Sequence, residues 1–148
     1  MKIRLAVRED GAALVEFNQA MASETEGKQL EPQVLQSGVE AVFADPKKGF
    51  YVVAEIGGRI AGGLMVTYEW SDWRDKWFWW IQSVYVLPEY RGRGVYRQLY
   101  DYVRKAAVEK GDVAGFRLYV ERENTGAQAV YEKLGMSASH YLMYEEMI

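Results

Sequence analysis

Two stretches of this chain carry residue types whose spacing could do chemistry. The first is Pro88-Glu89-Tyr90-Arg91-Gly92-Arg93-Gly94-Val95-Tyr96, which follows an apolar run and opens a helical pattern. A buried strand that passes through a glycine-bearing loop into a helix makes an anion site, because the first helical amides lack partners and the dipole end is positive. Gly92 and Gly94 let the backbone pass close to a ligand, while Arg91 and Arg93 add charge that can meet phosphate oxygens. The loop is neither a Gly-x-x-x-x-Gly-Lys-Ser/Thr string nor a three-glycine dinucleotide fingerprint. In the second stretch, Asn124, Ala127, Tyr131 and Leu134 share one helix face, and Gly135 supplies the stop. Alone, Tyr131 reads as a packing aromatic; beside the upstream loop, the balance moves towards a site.

Composition removes several alternatives. With no cysteine and a single histidine, His140, disulfides and thiolate chemistry are excluded. A zinc site or a Ser-His-Asp triad would hang on one residue, so the expectation is an ordinary histidine and no metal. A net charge of -3 gives no basic field for a phosphate backbone and argues against nucleic acid as a partner. Hydrophobic residues at 49% and charged residues at 26% suit a soluble globular enzyme. The start Met1-Lys2-Ile3-Arg4 opens into a strand-like run and no apolar stretch reaches membrane-spanning length, so the expected location is cytoplasmic, with no membrane partner. All five tryptophans, Trp70, Trp73, Trp77, Trp79 and Trp80, lie in one region with Tyr68, Phe78 and Tyr85. They read as an aromatic, acid-flanked cleft for an alkylammonium, or as core packing with an aromatic surface for a homodimer.

The positioning elements follow from periodicity and breakers. Ile3–Val7 reads as β1, and helical spacing from about Glu9 through Met21 reads as α1, ended by Gly27. Pro32 opens α2, which Asp45-Pro46 breaks. Phe50–Ile56 and Arg59–Trp70 form a hairpin, β2 and β3, about Gly57-Gly58. Trp77–Leu87 is apolar on both faces, as a central β4 should be. Val95, Leu99, Tyr102, Val103 and Ala106 mark α3, closed by Gly111. Phe116–Val120 reads as β5, Asn124–Leu134 as α4, and Met136–Met147 as a final strand or strand pair, β6(-β7). The expected fold is a mixed α/β (α+β) domain over 1–148, with a mostly antiparallel central sheet and about four helices, in the order β1-α1-α2-β2-β3-β4-α3-β5-α4-β6(-β7).

Val84-Tyr85-Val86-Leu87-Pro88-Glu89-Tyr90-Arg91-Gly92-Arg93-Gly94-Val95 resembles the cofactor signature of the GNAT N-acetyltransferase superfamily, Gln/Arg-x-x-Gly-x-Gly/Ala. Arg91 and Gly94 match it, whereas Tyr96 stands where glycine or alanine is usual. Asn124–Met136 resembles the second motif, Asn-x-x-Ala-x-x-x-Tyr-x-x-x-Gly-Phe, with methionine at the last position. The order of elements is similar as well, so the resemblance spans almost the whole chain.

The resemblance implies acetyl-CoA as cofactor and a single N-acetyltransferase domain. It implies that backbone groups of Val84 and Val86 hold the thioester and pantetheine arm, that amides of Gly92, Arg93, Gly94, Val95 and Tyr96 bind pyrophosphate beside Arg91, and that Asn124 contacts the arm. Tyr131 is implied as the general acid that protonates the departing thiolate. The β5 position where some relatives carry a glutamate falls on Tyr119, so the base or amine-binding group is sought among Glu69, Glu24, Glu26, Asp72 and Asp75. The leading expectation is acetylation of a primary amine of a small molecule. A protein or peptide amine acetyltransferase and a non-catalytic CoA-binding module stand as alternatives.

Overall fold

A computed structural model describes residues 1–148. Its contacts divide it into two compact units, Met1–Leu118 and Tyr119–Ile148. The first holds a five-stranded sheet in spatial order β1-β2-β3-β4-β5, formed by Lys2–Leu5, Phe50–Ile56, Arg59–Ser71, Lys76–Val86 and Val113–Arg117. The first four strands pair antiparallel and β5 runs parallel to β4. Gly57 and Gly58 take φ of +57° and +78°, which makes the β2–β3 turn tight enough for direct pairing of Ile56 with Arg59.

The sheet is covered on both faces of its middle, as the two-sided apolarity of these strands requires. On one face Leu14 and Phe17 of α1 (Gly11–Glu26) and Val39 of α2 (Pro32–Ala44) form a buried cluster with Tyr51, Val53 and Tyr85. On the other, the fully buried Val52, Leu64 and Val66 lie under α3 (Val95–Lys110), which contributes Leu99 and Val103. The α3 stripe Val95, Leu99, Val103, Ala107 recurs every fourth residue, so one side of the helix is apolar along its length. Arg4 and Asp10 anchor the start of the chain: Nη1 donates to Oδ2 at 2.7 Å and Nη2 to Oδ1 at 3.1 Å.

Two expectations are corrected. β5 lies at Val113–Arg117 instead of Phe116–Val120, because the strand is defined by its parallel pairing with Trp77–Trp80, and Leu118–Val120 fall beyond that ladder. The final strand or strand pair expected over Met136–Met147 is not formed, and 136–148 carries no regular structure. Tyr141, Leu142 and Met143 have strand-prone side chains, but a strand exists only through a ladder partner, which composition does not specify. The tryptophans divide: Trp79 is buried in the sheet against Phe50, Trp70 packs edge-on to Trp77, and Trp73 at the β3–β4 turn is 89% exposed.

Candidate functional site

The ladder between β4 and β5 ends at Trp80↔Arg117, whereas β4 continues along β3 to Val86↔Gly62. Between Gln82 and Tyr85, two residues, Ser83 and Val84, oppose the single Leu64 of β3. This is a β-bulge, and Ser83 sits there at φ +52°. Leu87 N–H donates to Ala61 on β3, so strand alternation turns the N–H and C=O of Val86 away from β3. The result is a row of β4 backbone groups beyond the β5 ladder, able to bond an extended amide chain.

β4 runs into a 3₁₀ turn, Pro88–Tyr90, and then the glycine loop. Gly92 and Gly94 take φ of +75° and +76°, a region that L side chains rarely adopt, so conformation itself calls for glycine at both. A Cβ added at either would meet nothing within 4 Å, so the loop's side is open. Gly94 is the N-cap of α3 and brings no capping side chain to its first amides. These amides and the helix dipole suit a pyrophosphate, and the β4 backbone suits the amide-linked arm of CoA, so the residues present fit that cofactor. Tyr96, at the position that departs from the family pattern, packs its ring 6.4 Å from Tyr100. Arg93 lies over the Tyr90 ring at 5.7 Å.

Arg91, although exposed, folds back onto the end of β4 and the end of α1. Its Nε donates to the Val86 carbonyl at 2.8 Å, its Nη2 to Glu24 Oε2 at 3.0 Å, and its guanidinium lies 5.3 Å from the Tyr85 ring centre. The Tyr85 hydroxyl donates to the other Glu24 oxygen at 2.9 Å. Arg91, then Tyr85, hold the Glu24 carboxyl below its usual pKa. Burial, then the bond to Glu24, pushes the Tyr85 phenol up. From the sequence, Arg91 is expected at phosphate and Glu24 among the base candidates, with no link between them, and Tyr85 is one aromatic among several; the structure joins all three.

Glu69 is engaged too. Arg117 Nη1 donates to its Oε1 at 3.0 Å and Trp80 Nε1 to the same oxygen at 2.7 Å, while Arg117 lies 3.6 Å over the Phe78 ring. Burial opposes ionisation of Glu69, but the Trp80 and Arg117 bonds outweigh it and its pKa is lowered. Arg117 escaped the sequence reading because it reaches Glu69 only through the β4–β5 parallel pairing, which leaves no local signal. Glu26 lies 3.9 Å from Lys28 on the surface, and Asp75 takes φ +53° in the β3–β4 turn. Neither Glu24 nor Glu69 has the raised pKa and open oxygen of a general base.

The second unit carries α4 (Thr125–Lys133). Asn124 is its N-cap, Oδ1 accepting from Ala127 N–H at 3.1 Å. The helix ends in a Schellman arrangement, with Met136 N–H on the Tyr131 carbonyl, Gly135 N–H on Glu132, and Gly135 at φ +96°. Asn124 and Gly135 thus have local structural duties within the second motif. Burial pushes the Tyr131 phenol up, so it is protonated at neutral pH.

The profile of the acetyltransferase (GNAT) family matches residues 12–136. A solved structure described as a possible acetyltransferase from Clostridium difficile 630 shares 44% identity and superposes with a TM-score of 0.93, over 99% of this chain and 97% of that one. The mycothiol acetyltransferase of Corynebacterium aurimucosum is 31% identical over 81% of this chain and 40% of its own length. The thialysine N-epsilon-acetyltransferase of Sus scrofa is 35% identical over 57% of this chain and 53% of its own. The chain therefore spans about half the length of these two curated relatives. With the glycine loop, the bulged β4 and strands β2 to β5 all inside the matched span, the chain belongs to the acetyltransferase (GNAT) family.

Proposed function

We propose that the chain is one N-acetyltransferase domain that moves an acetyl group from acetyl-CoA to a primary amine of a small molecule. The observation that carries this is the run of β4 backbone groups feeding through Gly92 and Gly94 into the uncapped start of α3. When bound, acetyl-CoA supplies an activated acyl carbonyl and a thiolate leaving group. Val84 and Val86 hold its arm through their backbone, with Asn124 at the arm, and the amides of Gly92, Arg93, Gly94, Val95 and Tyr96 receive the pyrophosphate. Arg91 fixes the loop against Val86 and Glu24.

The amine must be neutral when its lone pair attacks, and it loses one proton after the new C–N bond forms. Glu24 and Glu69, each paired with arginine, hold charge and geometry in place and do not take that proton. Tyr131 donates a proton to the departing sulfur; the family's second motif, matched from Asn124 to Gly135, and a phenol kept protonated by burial support this role. The test is release of free CoA thiol from acetyl-CoA against a panel of amines. Amine-dependent release is expected. Binding of acetyl-CoA with no release on any amine, peptide amines included, would leave a CoA-binding module instead.

A further inference from the structure

Two breaches of local sequence rules fall on the lining of one cavity in the first unit. The cavity has a volume of about 470 Å³ and lies between α1–α2 and strands β2–β4. Gly38 lines it from the interior of α2, where glycine costs about 0.5–1 kcal/mol relative to alanine. Nothing in the fold asks for glycine there: its φ is not positive, and an added Cβ would meet nothing within 4 Å. Ser83 lines the cavity from the β4 bulge in a left-handed conformation, itself a strained choice for a serine. Such departures gather where function outweighs local preference. The volume suits one small organic molecule.

We infer that this cavity receives the amine and takes a monoamine with an apolar body, in preference to polyamines or aminoglycosides. Its walls include Leu35, Val39, Val42, Tyr51 and Met65, and Val34 forms a lip that is 70% exposed. The buried and half-buried polar groups on its walls, Asn18, Tyr51, Thr67 and Ser83, are uncharged, and the two charged residues of the lining, Glu31 and Lys48, are exposed at its rim. Asn18 donates Nδ2 to the Leu14 carbonyl and so keeps its amide oxygen as an acceptor; Thr67 accepts from Gln82 at 2.6 Å and so keeps its hydroxyl proton to donate. Charge stands on exposed residues, Glu31 and a Lys48 that pairs with Asp45 at 3.3 Å. A polycation would find one carboxylate, Glu31 at the rim and offset by Lys48, for several ammonium groups, and those reaching the apolar walls would be buried without counter-charge at a large desolvation cost. A single amine loses its proton more readily in such surroundings, because desolvation disfavours the charged form. Entry into the cavity therefore helps to deliver the neutral nitrogen that neither paired glutamate provides. The inference rests on the acetyl-transfer reading for its chemistry, but not for its binding site.

The experiment uses the full chain with 2-phenylethylamine, spermidine and kanamycin, and compares wild type with Gly38→Ala and Gly38→Leu. Binding of 2-phenylethylamine is read by calorimetry, and turnover by thiol release with acetyl-CoA. The leucine side chain fills the cavity and should weaken both 2-phenylethylamine affinity and kcat/KM about tenfold or more, the scale of a lost apolar pocket contact. Gly38→Ala, which adds a single methyl to the wall, should lower both by a smaller factor than Gly38→Leu, and acetyl-CoA affinity should be equal in all three proteins. Higher kcat/KM for spermidine or kanamycin, or 2-phenylethylamine binding untouched by Gly38→Leu, would overturn the inference while leaving acetyl transfer standing. Binding that Gly38→Leu abolishes, in a protein that acetylates nothing, would support the cavity and sink the acetyl-transfer reading.

Discussion

Glu24, at the end of α1, holds Arg91 of the glycine loop at 3.0 Å. The pair joins the helix beside the sheet to the loop that opens α3, and Tyr85 closes it from β4. Because Arg91 also bonds the Val86 carbonyl, the loop's position depends on a carboxylate 67 residues away in sequence. Glu24→Gln keeps the shape but removes the charge. It should raise the KM for acetyl-CoA several-fold and leave kcat within about threefold, because a loosened loop costs binding and not proton transfer. Steady-state kinetics decides: a fall in kcat of about a hundredfold or more would mark Glu24 as the base after all.

Arg117 and Trp80 hold the Glu69 carboxyl ionised. Its lowered pKa means that the pH dependence of kcat/KM should show no limb from Glu69 between pH 6 and 9. Arg117→Ala should move the Glu69 titration upward. Carboxyl NMR shifts followed against pH in wild type and variant check this, and an unmoved titration would show that Arg117 does not set it.

Tyr131→Phe keeps the ring and removes the proton. Turnover should fall by about ten- to ten-thousand-fold with the acetyl-CoA dissociation constant nearly constant. Wild-type turnover in the variant would reduce Tyr131 to packing, with the thiolate stabilised by other means.

The bidentate Arg4–Asp10 pair links stability to pH. Arg4 lowers the Asp10 pKa from an ordinary 3.8, so the pair's stabilisation is fully present above that value and is lost as pH falls below it through the folded pKa. Asp10→Asn should cost about 1–3 kcal/mol at pH 7, and the difference from wild type should shrink towards pH 3. Urea unfolding at the two pH values measures it; an equal gap at both would mean that ionisation of Asp10 is not what the pair contributes.

Much of this arrangement was legible in the chain itself. Gly57-Gly58, Pro32 and the every-fourth-residue apolar stripe of α3 act locally, so the elements they define appear where spacing put them. The glycine loop was legible for the same reason, since positive φ at Gly92 and Gly94 is a local demand. What could not be read is what long-range pairing decides. The partners of Glu24 and Glu69 come from residues 61–67 and 11–48 positions away, and no motif encodes those distances. The Ser83–Val84 bulge depends on the β3–β4 register, and the placement of β5 on a parallel neighbour across α3. The expected last strand failed likewise, because strand-prone residues at 136–147 say nothing about whether a ladder partner is there.

The central claim is that the Gly92–Tyr96 turn and the start of α3 hold the pyrophosphate of acetyl-CoA. It is tested most directly by titrating acetyl-CoA into wild type and Gly94→Glu in a calorimeter, with circular dichroism confirming that the variant folds. The substitution sets a carboxylate at the open N-cap of α3, where the account puts a doubly charged anion. Wild type should bind and a folded Gly94→Glu should show no binding that the calorimeter detects; equal affinity in the two proteins would contradict the account.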